Sequence, residues 1–566
     1  MTRARLGALL AVLVVMPVAL TAVANAQETE DRAALVLQVP GASLDELMSV
    51  PQAAALARAG GAGLMVSQLG RADLVYGQSF PGRIPGVTPY TVSLEELGAS
   101  IDRLVPTQAA EEVLVVVAGT VPSSGIQRSG SVTGVVVAIG APNRLLEASS
   151  EPGSLTSDST RRTGVVSDLD IAPTALGFVD VEALGEGEPI PALDGESVRI
   201  IEGPPPFDLY ERYLAQRRMY IPMGVAAVLY LAGAGSAAIA FLNRRRSVPE
   251  QWQRVAGWMG LSVPMLAVGL LAAGHLPELT YASAVPMVAI VTVFGTMAFS
   301  PLERRELTAV PAGIGAAVIG FFVVEALLGW SGMLTPLLGG AQLDGGRFFG
   351  LPNVTIGLLV GASMWVAQRT STAAGFALTC AVALFAGLPV VGANLGGAVT
   401  LFAAAGLWLA VRERERLGPW MGTAAFVAVT TVGTAVILVS HALSPFPTHV
   451  SRFEEDVAGI GGIWDTFVDR LQIGFDLIAG NPLALVPVVG IVVVLVLVLR
   501  PPTPIRETFE RWPAWRDANL VIALAGVIAY VANDSGAAAV GFAFGLALGG
   551  MLGLPLLVGS RKMGEP

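Results

Sequence analysis

The sequence predicts two unlike parts: an exported α/β domain over residues 27–206, and a polytopic α-helical membrane domain of about eleven spans over residues 219–559. Three observations predict this. Charged residues make up 14% of the 566-residue chain and hydrophobic ones 53%, against about 25% charged in soluble globular proteins. After residue 218 the apolar residues fall in stretches close to the ~20 residues that cross a bilayer. Before it, short apolar runs alternate with helix-like segments, the pattern of an α/β sheet buried on both faces.

The chain opens on a secretory pattern. Arg3 and Arg5 precede an apolar stretch from Leu6 to Val23, and Ala24-Asn25-Ala26 has the A-x-A form of a cleavage site. Residues 1–26 read as a signal peptide or, uncleaved, as an anchor; either one exports the domain after it. Residues 27–206 hold 23 acidic and 10 basic side chains and no Lys, Cys or His. Ala33 to Val39, Val113 to Ala118 and Gly134 to Ile139 read as buried strands of a parallel sheet, and Leu44 to Arg58 as one helix. Gly203-Pro204-Pro205-Pro206 breaks the pattern and leads through a juxtamembrane linker, 207–218, to the membrane.

Thr163-Gly164-Val165-Val166-Ser167-Asp168-Leu169-Asp170-Ile171-Ala172-Pro173-Thr174-Ala175-Leu176, followed by Pro191-Ala192-Leu193-Asp194-Gly195, resembles the C-terminal end of alkaline phosphatase/sulfatase superfamily domains. Leu35 to Leu47 resembles that family's first strand and helix, and Val113 to Pro122 the strand that carries a Ser-Asp-His-Gly metal motif. The resemblance implies an alkaline-phosphatase-like fold; the departures imply a degenerate one. Val39-Pro40-Gly41 stands where Asp-Gly is expected, and Ala118-Gly119-Thr120-Val121 where Ser-Asp-His-Gly is. A domain without histidine lacks ligands that a pair of divalent metals needs. The expectation is a shortened pseudoenzyme that holds no metal, with Asp170 capping the helix that begins at Ile171-Ala172-Pro173.

The apolar stretches of the second part lie at about 219–242, 256–274, 281–299, 308–329, 351–368, 371–388, 391–411, 420–440, 483–499, 518–532 and 537–557. If the first runs inward, Arg244 to Arg246, Arg304, Arg305, Arg369, Arg412, Arg414, Arg416, Arg500, Arg506, Arg511, Arg516 and Arg561 all fall on the cytoplasmic side. Arg212, Arg217 and Arg218 lie outside, against that trend, and there the signal segment decides. Residues 560–566 form a cytoplasmic tail. The one cysteine, Cys380, sits in an apolar run and forms no intrachain disulfide.

With this topology four polar segments share the outer end. Asp344-Gly345-Gly346-Arg347-Phe348-Phe349-Gly350-Leu351-Pro352-Asn353 enters the fifth span, and Gly392-Ala393-Asn394-Leu395-Gly396-Gly397 opens the seventh. His441 and His449, read as exposed loop residues, begin a long acidic loop, and Asn533-Asp534-Ser535-Gly536 joins the last two spans. Glu325 lies inside the fourth span, where a carboxylate is costly and marks a functional site by default. Glu325, Asp344 and Asp534 are the candidate catalytic groups, and Arg347, Asn353, Asn394, Asn533 and Ser535 the candidate substrate contacts. The plainer readings are an interfacial Glu, an Asp344–Arg347 ion pair, a helix-packing Asn394 and an ordinary Asn-Asp-Ser-Gly turn. The segments GGRFFGLPN, GANLGG and NDSG also resemble motifs of uncharacterised bacterial multi-pass proteins, G-R-F-Y-G-x-x-N, G-A-N-x-G-G and N-D-S-G, that accompany an extracytoplasmic domain.

Net charge of −10 argues against nucleic acid as a partner. Membrane lipids are the expected surroundings. An exported phosphatase-like domain followed by many spans resembles the eukaryotic ethanolamine-phosphate transferases of lipid anchors. That implies a lipid-linked or phosphate-bearing substrate, with Arg347 suited to grip phosphate. A transporter or flippase, with glycine-rich spans and an intramembrane Glu, and an envelope scaffold binding proteins through its exported domain are the alternatives. The sequence does not identify a cofactor.

Overall fold

The computed structural model of the protein describes residues 32–66, 87–108, 110–120, 132–179, 196–243, 247–339, 342–344, 349–444, 472, 485–533 and 536–562. The chain divides into two compact units, residues 1–211 with 343–348, and residues 212–342 with 349–566.

The first unit is α/β. Its elements are β1 (Arg32–Pro40), α1 (Leu44–Ser49), α2 (Pro51–Ala59), β2 (Gly61–Val66), β3 (Val87–Thr91), α3 (Leu94–Leu104), β4 (Glu112–Thr120), β5 (Val132–Gly140), β6 (Gly153–Thr156), β7 (Val165–Ser167), α4 (Ile171–Val179) and β8 (Arg199–Ile201). The sheet runs β3-β1-β4-β5-β2-β6-β8, with β7 beside β2. β1 is parallel to β3 and β4, whereas β5 is antiparallel to both β4 and β2. The sheet is therefore mixed, where the apolar runs suggested a parallel one. Alternate strand residues serve two cores: Leu35, Leu37, Val115 and Val117 pack with Leu44, Leu56, Leu97 and Ile101 of the helices on one face. Val36, Leu114, Val116 and Val137 pack with Ile171, Ala175 and Leu176 of α4 on the other. A strand buried on both faces reads as one apolar run whichever way it points.

The expected helix over Leu44 to Arg58 is two helices. Pro51 has no N–H and disfavours helical backbone before it, so Val50 takes φ −85°, ψ 116° and the chain restarts at α2. Ser43 caps α1: its Oγ accepts from the Glu46 amide at 3.3 Å, and the Glu46 carboxylate accepts from the Ser43 amide at 2.8 Å. The Ser43 amide first, and then the Ser43 hydroxyl donating at 2.9 Å, hold the Glu46 carboxyl below its usual range.

Val39 to Pro40 and Gly119 to Thr120 are paired residues at neighbouring ends of β1 and β4, and the Gly41 amide closes on the Thr120 carbonyl at 2.6 Å. Val121 and Pro191 to Gly195 lie outside the described residues. Asp170 ends a short 3-10 turn ahead of α4 and is fully buried. Its Oδ2 accepts from the Ser167 amide at 2.8 Å and the Ser157 hydroxyl at 2.6 Å, and its Oδ1 from the Glu196 amide at 2.9 Å. Its capping bond thus returns to Ser167 rather than forward to α4. Burial pushes its carboxyl up from the ordinary value, against the pull of those hydrogen bonds. Among the described residues no cluster of three or more His, Cys, Asp or Glu is placed to hold a metal.

The second unit is helical: α5 (Phe207–Asn243, from Arg212 onward), α6 (Glu250–Leu261), α7 (Val263–Ala272), α8 (Tyr281–Met297), α9 (Ser300–Glu303), α10 (Ala309–Leu327), α11 (Ile356–Ala367), α12 (Thr372–Gly387), α13 (Leu395–Arg412), α14 (Arg414–Ala442), α15 (Leu485–Leu499), α16 (Thr503–Arg511), α17 (Pro513–Ala532) and α18 (Gly536–Lys562). Among the described residues seven helices are long and apolar enough to cross a membrane, or up to nine if the bent pairs α6–α7 and α15–α16 are each one span. The stretches 351–368 and 371–388 form shorter apolar helices, and α11 is buried along its length except at Val366. Large apolar side chains stay exposed on α5, α8, α14 and α15, among them Ile221, Leu229, Phe294, Val432 and Val496. Such outward apolar faces suit lipid rather than water.

Contacts between side chains and backbone groups sort the helix ends into two sets. At one, Arg254 meets Glu303, Gln368 reaches the Thr308 carbonyl, Arg369 pairs with Glu306, and Arg412 and Arg414 both bind Asp517. At the other, His275 meets Glu325, Leu351 bonds Gly392, and His441 bonds Gly387. We call these the arginine end and the polar end.

Candidate functional site

Glu325 sits in the last turn of α10 with its side chain 1% exposed. Its Oε1 engages Nε2 of His275, in the 3-10 turn that ends α7. Its Oε2 is buried and has no hydrogen-bond partner among the described residues. The His275 ring is about one third exposed (32%), and among the described residues its Nδ1 has no partner. The pair fits together because Gly332 lies against it: a Cβ there would come within 2.4 Å of His275 Nε2 and 2.7 Å of Glu325 Oε1.

The segment after α10 holds this arrangement in place. Trp330 takes the left-handed conformation at φ 62°, ψ 29°, a strain of about 1–3 kcal/mol for a bulky residue. Three anchors offset it: its amide donates to the Glu325 carbonyl at 2.7 Å, its indole N–H to the Val391 carbonyl at 2.8 Å, and its ring rests against Phe385. On α5, Arg212 donates to the Gly274 carbonyl, next to His275, and Gln216 to the Pro336 carbonyl at 3.0 Å. Arg217 and Arg218 lie exposed on the same helix.

Of the sequence candidates, the structure joins three asparagines at the same end. Asn394 caps α13, its Oδ1 accepting from the Gly397 amide at 2.8 Å. Its Nδ2 donates to the Leu351 carbonyl at 2.9 Å and to Asn353 Oδ1 at 3.0 Å. With both amide protons used, Asn394 fastens the start of α11 to the start of α13. Asn533, closing α17, donates to the Ala529 carbonyl at 2.9 Å and to Thr400 Oγ1 at 3.4 Å. A Cβ on Gly396 would lie 2.7 Å from Asn533 Oδ1, so the GANLGG glycine makes room for it. Trp330 links the asparagines to Glu325, since Val391 lies three residues before Asn394.

Asp344 ends a short 3-10 turn, Gln342–Asp344, and its side chain lies outside the described residues, as do Arg347, Asp534, Ser535 and His449. His441 corrects the sequence reading: it is 1% exposed, in the last turn of α14, with Nε2 at 2.9 Å from the Gly387 carbonyl. Sequence reasoning missed His275 and the use of Arg212. One available signal was an imidazole at the very close of a span beside an intramembrane carboxylate two spans on; another was the run of outer arginines that broke the charge trend. No protein-family model, curated protein or solved structure matches this chain.

Proposed function

We propose that this protein is a cell-envelope membrane protein that handles a lipid-linked, phosphate-bearing substrate at the polar end of its bundle, as an enzyme or enzyme-like factor. The Glu325–His275 pair carries the reading. Glu325, buried against Nε2, orients the ring, and Nδ1 is left to take or give a proton at a substrate hydroxyl or leaving oxygen. Arg212 beside Gly274, with Arg217 and Arg218 on the same helix, supplies guanidinium charge of the kind that grips phosphate. Asn353, partly exposed beside Asn394, and Asn533 are the proposed substrate contacts at this end, and Asp344, Arg347, Asp534 and Ser535 are candidates on the sequence alone.

This end faces the outer leaflet in our reading, because the other carries Arg304, Arg305, Arg369, Arg412, Arg414, Arg416 and Arg516. Residues 1–26 then export the α/β unit, α11 and α12 complete eleven spans, and the tail at 560–566 is cytoplasmic. The α/β unit is a degenerate alkaline-phosphatase-like module that docks substrate without chemistry. Its neighbouring strand ends carry Val39-Pro40 and Gly119-Thr120, without a carboxylate or an imidazole.

The test is purified full-length protein in lipid nanodiscs, supplied with polyprenyl-phosphate- and polyprenyl-diphosphate-linked sugars. Release or transfer of a phosphoryl or glycosyl group is expected, falling about 10²–10⁴-fold in His275→Gln and Glu325→Gln. Wild-type protein inert toward all of these substrates would refute the reading. One observation favours transport instead: α6–α7 and α15–α16 bend by 49° and 67°, like the broken helices of carriers. Proteoliposome flux that vanishes in Glu325→Gln, without any turnover, would select that alternative.

A further inference from the structure

We propose a second site, at the arginine end: a cavity beside Gly418 that binds one acidic phospholipid, its phosphodiester on Arg414 and Arg516 and an acyl chain between α13, α14 and α17. It is independent of the chemistry proposed for Glu325 and His275. The cavity exists because α14 breaks in its second turn. Gly418 takes φ 63°, ψ 177°, and Pro419 restarts the helix on a new axis. The gap holds about 650 Å³, within the roughly 300–1,000 Å³ usual for ligand sites.

Its lining is divided. Leu407, Phe426 and Leu520 form an apolar wall, and Arg414 and Arg516 lie at the rim. Arg516 is exposed and has no partner among the described residues. Arg414 uses Nη1 for Asp517 Oδ1 at 3.1 Å and the Val411 carbonyl at 2.8 Å, leaving Nη2 and Nε without a bond among the described residues. Asp517 also takes Arg412 at 3.1 Å, and Glu415 lines the same rim. The lining is balanced, with Arg414 and Arg516 against Glu415 and Asp517, and Arg412, which binds Asp517 from outside the lining, leaves one net positive charge, the match for a single phosphodiester.

Depth supports a lipid over a soluble anion. Trp420, one residue past the break, is 87% exposed, and Trp252 at the start of α6 is 54% exposed. Tryptophans standing outward at helix ends mark the headgroup level. The cavity mouth is therefore at the interface and its apolar wall runs inward from there, an amphipathic slot in the order that a phospholipid has. Basic pockets between spans are known to take acidic headgroups.

The experiment uses the full chain in detergent and counts bound lipid by native mass spectrometry, with phosphatidylglycerol, phosphatidylcholine and inorganic phosphate as probes. Preference for phosphatidylglycerol is expected, reduced about fivefold in Arg516→Gln and again in the double variant with Arg414→Gln. Gly422→Leu should block the slot and lose lipid with the charges intact, because a Cβ at Gly422 meets only ordinary contacts, the nearest Ala410 Cβ at 3.5 Å. An unchanged lipid preference in Arg516→Gln would overturn the proposal, as would full lipid retention in Gly422→Leu. Displacement of the lipid by millimolar inorganic phosphate would reduce the site to a plain anion site and equally overturn it.

Discussion

Asp170 in the α/β unit and Glu325 in the helical bundle are both buried carboxylates, and they are treated in opposite ways. Asp170 receives two backbone amides and a hydroxyl spread over both oxygens. Glu325 receives one imidazole on one oxygen, while the other is buried and unserved among the described residues. Burying a polar group without a partner costs about 1–3 kcal/mol, so a fold selected for stability alone would provide one. The contrast separates a carboxylate that ties a loop together from one held ready for another molecule.

The largest effect is expected at Gly332. Gly332→Ala would drive a methyl between His275 and Glu325. A loss of activity of about 10²-fold is expected from displacing the ring, read as turnover in nanodiscs, with helix content by circular dichroism unchanged. Activity like wild type would mean that the pair does no chemistry. At Asp170 the expected effect is on stability. Asp170→Ala leaves the Ser167 and Glu196 amides unserved and should destabilise the α/β unit by about 3 kcal/mol, read by denaturant unfolding, with turnover per folded molecule retained.

Asp170 should also make stability depend on pH. The folded carboxyl of Asp170 lies above its ordinary value of 3.8, so the native state binds the proton more tightly than the unfolded chain. Its contribution is then full below pH ~4 and lost as pH rises through the folded value. The stability of wild type relative to Asp170→Asn should fall over that rise; a difference that stayed flat would show that burial does not govern this group. A smaller effect is expected at Asn394. Asn394→Ala removes a helix cap and the bridge to Asn353, worth about 2 kcal/mol together, read as a lower melting temperature with little change in turnover.

Much of this was legible in sequence. The strands at Ala33, Val113 and Gly134 and the apolar helices announce themselves by composition, and Glu325 stands out as a lone acid in an apolar span. Strand direction did not show, because β5 is covered on both faces and the same valines would suit either direction. Pro51 carried its warning openly, yet the apolar periodicity of Leu44 to Arg58 ran across it. His275 was hidden for a different reason: it lies 50 residues from Glu325, and only the packing of α7 against α10 pairs them. His441 looked like a loop residue because the chain turns polar after it, although its ring points back to Gly387.

The different roles of the two carboxylates are separated by measuring turnover of a polyprenyl-diphosphate-linked sugar and unfolding free energy side by side in Glu325→Gln and Asp170→Asn, with His275→Gln as the check on Glu325→Gln. A crossed result is expected: Glu325→Gln and His275→Gln lose turnover and keep stability, while Asp170→Asn loses stability and keeps turnover. Equal destabilisation by Glu325→Gln and Asp170→Asn, with turnover per folded molecule unchanged in all three, would contradict it.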